Sequence, residues 1–194
     1  MKSVLISIKP KWCELIANGK KTIEVRKTRP KYYTPFKCYI YCTKEFYRKG
    51  DGYFQGKYCG KVIGEFVCNK INRLAVCGYD NSDMKLRRVD DNLTAYNLDY
   101  DYLNKCRLSL GELENYANGS ELFGWHISNI VIYDKPKELS DFATFCDKNV
   151  NHCANCEHYL FDSDDLNGYR RWCGVYHRKP LTRPPQSWCY VEEE

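Results

Sequence analysis

The sequence predicts a small α+β domain built on a curled barrel, with a cysteine-rich segment appended. Three observations carry that expectation. Apolar runs of four to eight residues recur with strand alternation, between few helical stretches and without a βαβ rhythm. Hydrophobic residues make up 43% and aromatic residues 15%, with 17 Tyr, which is the composition of a chain that folds around a core. Five of the 12 Cys crowd the last quarter, where apolar content is too low for a self-sufficient core.

Val4-Leu5-Ile6-Ser7-Ile8 reads as a buried first strand ended by Lys9-Pro10. Pro10 suits the first turn of a helix, where its missing N–H is harmless, and Trp12, Leu15 and Ile16 follow at helical spacing. Gly19 after Asn18 stops that helix. Gly19 to Arg26 then reads as a strand on which Ile23 and Val25 meet a core while Thr22, Glu24 and Arg26 share the other face. Lys37 to Thr43 and Lys61 to Cys68 are further strands, and Gly64 inside the second marks a bulge or a close backbone approach. Residues 72–108 read as a polar excursion with one helix. Ser109-Leu110-Gly111-Glu112 has the form of a capping box opening a short helix through Tyr116, closed by Asn118-Gly119. Trp125 to Tyr133 is a strand.

No apolar run approaches the roughly 18 residues of a membrane span, and the first residues turn polar too soon for a signal peptide. A cytoplasmic protein with no membrane partner is expected. In that setting most of the Cys are buried thiols acting as small hydrophobes. The net charge of +5 permits a polyanionic partner without demanding one. Its distribution is more informative. The first third is rich in Lys and Arg with Tyr and Phe interleaved, a mixture that suits single-stranded nucleic acid as well as a solvated basic surface.

The chemistry concentrates on Gly19-Lys20-Lys21-Thr22-Ile23-Glu24-Val25-Arg26. Lys21 forms an ion pair if a carboxylate lies near, or loses its proton readily if desolvated alone. Glu24 accepts a base amino hydrogen, and Arg26 offers a planar fork to phosphate. Lys9 and Trp12, at the start of the first helix, are further candidates for touching such a ligand. The bland alternative is an internal salt-bridge network. His126 beside Trp125 reads as a hydrogen-bonded core histidine.

Cys153-Ala154-Asn155-Cys156, then Cys173 sixteen residues beyond and His177 after three more, is spacing for tetrahedral zinc. Cys146 competes with His177 as the fourth ligand, and His152 and His158 are weaker choices. A complete protein ligand set leaves no open position, so the zinc is expected to be structural.

The pattern Leu5-Ile6-Ser7-Ile8-Lys9-Pro10, a helix, then Gly19 to Arg26 resembles the start of the ASCH domain family. Lys61 to Cys68, Gly124-Trp125-His126-Ile127-Ser128 and the tail Arg183 to Val191 are similar to later parts of its bacterial and phage members. The resemblance implies a PUA-like β-barrel with short flanking helices over residues 1–142, a zinc-binding insert at 143–182 and a tail at 183–194 returning to the barrel. It also implies binding of RNA or a related nucleotide, in a cleft lined by Lys21, Glu24 and Arg26. Members with cysteine-rich tails favour Cys146 as the fourth zinc ligand. Some members are amidohydrolases that remove the acetyl group of N4-acetylcytidine with a Lys, a Thr and a Glu. Lys21 matches the Lys, Glu24 stands at the position of the Thr, and Glu65 is the only candidate for the Glu. The expectation is therefore binding, with an amidohydrolase as the alternative and a zinc-stabilised protein-interaction module as a third reading. Elemental analysis of protein purified without chelator is expected to find about one equivalent of zinc; less than about half an equivalent contradicts a structural site.

Overall fold

A computed structural model of the chain describes residues 3–44, 58–78, 84–145 and 178–193. β1 (Ser3–Ile8) is buried along its whole length because it runs between two neighbours. On one side it pairs in parallel with β3 (Phe36–Cys42), and on the other antiparallel with β10 (Trp188–Glu193). That explains its unbroken apolar run, since a strand covered on both faces has no solvent side on which to alternate. α1 (Pro10–Ala17) connects β1 towards β2 (Ile23–Arg26), with Pro10 in its first turn as the sequence implies. Gly19 adopts φ +67°, a left-handed turn suited to glycine, and Lys20 and Lys21 both donate backbone N–H groups to the Leu15 carbonyl. Only Ile23–Arg26 of the expected strand is extended. Its first four residues are the turn that delivers it.

Two 16-residue strands, β4 (Val62–Cys77) and β7 (Leu122–Lys137), run antiparallel and form the spine. β4 continues nine residues beyond the expected strand end at Cys68 and carries a hairpin extension of β5 (Lys85–Val89) and β6 (Ala95–Asn97). These elements fall in the stretch that reads as a polar excursion, because Asp90-Asp91-Asn92, Asp99, Asp101 and the basic residues break up its apolar positions. The order among the described strands is β2-β7-β4-β3-β1-β10, followed by β8 (Phe142–Phe145) and β9 (Arg178–Pro180). β1 with β3 is the parallel pair in a sheet whose other described pairings are antiparallel.

Register shifts between Val62 and Gly64 and at two later points bend β4 against β7. A Cβ on Gly64 would lie 2.3 Å from the Val131 carbonyl oxygen, so the close approach expected there is present. α2 (Tyr100–Cys106) and α3 (Leu110–Ala117) pack beside β2 and β5. Ser109 and Glu112 form the reciprocal capping box that opens α3, and Asn118 ends it at φ +46°. The architecture is a sheet-dominated α+β fold with few, short helices. Cys146, Cys153, Cys156, Cys173, His152, His158 and His177 all lie outside the described residues.

β2 divides two cores. Ile23 and Val25 join Leu74, Tyr102, Leu113 and Leu122 on one side. On the other, fully buried Trp125 packs edge-on to Phe36 at 5.7 Å in the main cluster. Gly124, opposite Val25, has no room for a side chain: a Cβ would sit 2.1 Å from the Tyr102 hydroxyl and 3.2 Å from Ile23 Cγ2. Gly124→Ala is expected to cost about 1–3 kcal/mol through overpacking. The Tyr102 hydroxyl is buried without a hydrogen-bond partner, so Tyr102→Phe should restore part of that loss in the double variant. Urea unfolding of both single variants and the double variant measures the coupling.

Candidate functional site

The backbone around β2 is clamped from three sides before any side chain acts. Thr22 donates its N–H to the Lys105 carbonyl (3.0 Å), the Thr22 carbonyl accepts from Ile127 N–H (2.9 Å), and Arg107 Nε donates to the Lys20 carbonyl (2.6 Å). The C-terminal end of α2 is thus held against the turn that carries Lys21. Lys21 extends into the protein and donates to the Cys106 carbonyl at 2.5 Å, in the last turn of α2 where orphan carbonyls and the helix dipole favour a cation.

Strand alternation places Glu24 and Arg26 together on the face opposite Ile23 and Val25. That face is not solvated. Lys21 is 2% exposed and Glu24 5% exposed. Glu24 lies between two cations, with Oε1 3.1 Å from Arg26 Nη2 and Oε2 3.4 Å from Lys21 Nζ. Arg26 also donates to the Ser7 carbonyl at 2.5 Å, tying β2 to the end of β1. Two polar atoms in this row, Glu24 Oε2 and Arg26 Nε, are buried without a hydrogen-bond partner.

The row forms the floor of a cleft of about 590 Å³. Lys9, Trp12, Lys21, Glu24 and Arg26 all line it, so the five residues named from sequence as ligand-binding candidates converge. Lys21 Nζ lies 5.0 Å from the Trp12 ring centroid and Lys11 Nζ 4.7 Å from it, so the indole carries cationic partners at the cleft. Sequence reasoning missed Thr43, Lys44, Tyr116 and Gln186 on its walls. Gln186 arrives through the tail: Ser7 N–H donates to the Ser187 carbonyl at 2.8 Å, and Ser7 Oγ to the Pro185 carbonyl at 2.6 Å. Thr43 Oγ1 is another buried oxygen without a partner. No local motif marks these residues, because they reach the cleft through strand order rather than through spacing.

Glu65 is not among the lining residues. Its carboxylate meets Lys37 Nζ at 2.8 Å and accepts from the Tyr133 hydroxyl at 2.5 Å. Burial pushes its pKa up, but the Lys37 and Tyr133 hydrogen bonds outweigh this and hold it below the usual glutamate value. Trp188 stacks 5.9 Å from Trp125 and donates its indole N–H to Thr28 Oγ1, so it fills the core beside the cleft. Among the described residues, no group of three or more His, Cys, Asp or Glu side chains could hold a metal ion.

His126 lies beyond the cleft, opposite Ile23, where Nε2 pairs with the Asn72 side-chain oxygen. Burial, followed by the charges of Lys70, Lys105 and Arg88, lowers its pKa from 6.5 to about 4. The unfolded chain therefore binds a proton there between these values while the folded chain does not. Stability through this group is complete above pH 6.5 and is lost as pH falls towards about 4. His126→Gln should flatten that part of the profile of urea midpoint against pH, relative to the unsubstituted protein.

The ASCH domain model matches residues 6–69, which take in the end of β1, all of α1, β2 and β3, and the whole Gly19–Arg26 motif. No curated protein matches the chain. Among solved structures, the crystal structure of ASCH from Zymomonas mobilis is 21% identical, covering 71% of this chain and 74% of its own, with a TM-score of 0.48. Two single-substitution variants of that Zymomonas mobilis protein are each 17% identical. One covers 99% of this chain and 91% of its own at a TM-score of 0.47. The other covers 98% and 89% at a TM-score of 0.48. Over its first third, the chain is thus similar to the ASCH domain.

Proposed function

We propose that this chain is an ASCH-type protein that binds RNA or a nucleotide-like ligand in the cleft above β2. One observation carries the reading: Glu24 is buried between Lys21 and Arg26 beneath the cleft, and its Oε2, paired with Lys21 at 3.4 Å, makes no hydrogen bond. A carboxylate oxygen held by an ion pair alone has capacity left for a hydrogen bond, and a ligand N–H supplies one. Nucleobases carry such donors on a flat ring, and Trp12 provides an aromatic surface of matching shape at the same cleft. With two cations to one carboxylate, the floor stays positive by one charge and favours a ligand that brings phosphate.

Two contacts of Arg26 are already made, to Ser7 and Glu24, so it orients Glu24 rather than reaching outward to phosphate. Lys9 and Lys44, on the cleft wall, are better placed for that. The zinc-binding segment stays part of the reading on the strength of its Cys spacing.

Lys21 is a poor residue to test, because removing one partner of a buried pair costs about 3–5 kcal/mol of stability by itself. Trp12→Leu keeps an apolar filler and removes the stacking surface. Titration with a short single-stranded RNA is expected to show a loss of about 1–3 kcal/mol in binding. Unchanged affinity with an unchanged salt dependence overturns the site.

A further inference from the structure

A second cleft of about 660 Å³ lies where β4 meets β5 and β7. Its walls include Arg29, Lys70, Arg73 and Arg88, with the rings of Phe123 and Tyr96 between them. The strand register relates it to the first cleft. Arg26 of β2 is directly opposite Phe123 of β7, and Phe123 is opposite Arg73 of β4. Directly paired residues project to the same face. One row therefore leads from Arg26, in the first cleft, through Phe123 to Arg73 in the second.

Aromatic rings at both clefts carry cations. Lys27 Nζ lies 5.3 Å from the centroid of Tyr116, a wall of the first cleft. The Arg29 guanidinium is 5.8 Å from Phe123, and that of Arg88 is 5.4 Å from Tyr96. Three carboxylates also border the second cleft, but two are engaged locally. Glu121 pairs with Arg73, and Asp90 accepts from the Asn92 and Thr94 N–H groups of its own turn. Asp91 is the third.

We propose that the ligand is a single-stranded nucleic acid that occupies both clefts, with one base over Glu24 and the following nucleotides crossing the Arg26–Phe123–Arg73 row. The proposal rests on the nucleotide-binding reading of the first cleft. Charges spaced beside exposed rings fit a phosphate backbone with unstacked bases, and a mononucleotide has no means of reaching the second cleft. Arg29 and Lys70 are exposed and supply phosphate contacts without belonging to the buried row.

The test compares a mononucleotide with homopolymer RNAs up to a length of roughly ten nucleotides. Affinity should rise with length on the unsubstituted protein. The double variant Arg29→Ala, Lys70→Ala should lose about tenfold affinity for the longest RNA. Its slope of log affinity against log salt should shrink by about 1.4, while mononucleotide binding stays unchanged. Mononucleotide binding without a gain from length overturns the two-cleft path and leaves the first cleft standing. So does a double variant that binds the long RNA as tightly and with the same salt slope. Absence of binding to every RNA, mononucleotide included, overturns both.

Discussion

The organisation of the molecule around β2 depends on satisfying charges that have been taken out of water. Lys21, Glu24 and Arg26 sit where an isolated ion would cost several kcal/mol, so each must find partners, and those partners come from distant parts of the chain. Lys21 reaches Cys106 at the end of α2, and Arg26 reaches Ser7 at the end of β1. Glu24 joins the two cations. A four-residue edge strand is thereby tied to a helix 80 residues later in the chain and to the centre of the sheet. The arrangement does not need to be the most stable one available. A packed apolar row of the same volume commonly matches or exceeds a buried ion pair in stability.

The second constraint is geometric. β4 and β7 are long enough to serve different neighbours at their two ends, and they can do so only by bending. Gly64 permits the bend near one end, where Val131 approaches within the space a side chain would fill. Near the other, Gly124 gives the Tyr102 ring the room to cover the β2 edge. Just beyond Gly124 the pair presents Phe123 and Arg73 on the cleft face, while Leu122 and Leu74 enter the second core. One stretch of sheet thus provides a hydrophobic wall on one side and a cationic, aromatic surface on the other.

What sequence made legible follows from the range over which each signal acts. α1, the Gly19 stop and the Ser109–Glu112 box are set by contacts within a few residues, and they appear where the sequence implies. Ile23 and Val25 were readable as core, and Glu24 and Arg26 as sharing a face, because strand alternation is local. Their burial was not readable. It comes from α1, α2 and the 186–187 tail closing over that face, and no residue near β2 encodes those approaches. The extension of β4 and the β5–β6 hairpin were obscured for a related reason. Arg73, Arg87 and Arg88 are strand residues whose polarity suits a half-exposed sheet at the rim of a cleft, so they carry no apolar run. Glu65 illustrates the reverse case: a carboxylate within an apolar strand called for a cation, and Lys37 supplies it on the adjacent strand, away from the cleft.

Glu24 is where these lines meet. Where hydrolytic members of the resembled family are expected to carry a hydroxyl, this chain carries a carboxylate between two cations. A hydroxyl there would leave Lys21 and Arg26 facing each other with no anion between them, in a site too dry to screen their repulsion. The carboxylate relieves that repulsion and gives each cation an internal partner. Glu24 at the same time lines the cleft. A carboxylate held between two cations at the base of a cleft is the arrangement on which the proposed recognition of a donor-bearing ring rests.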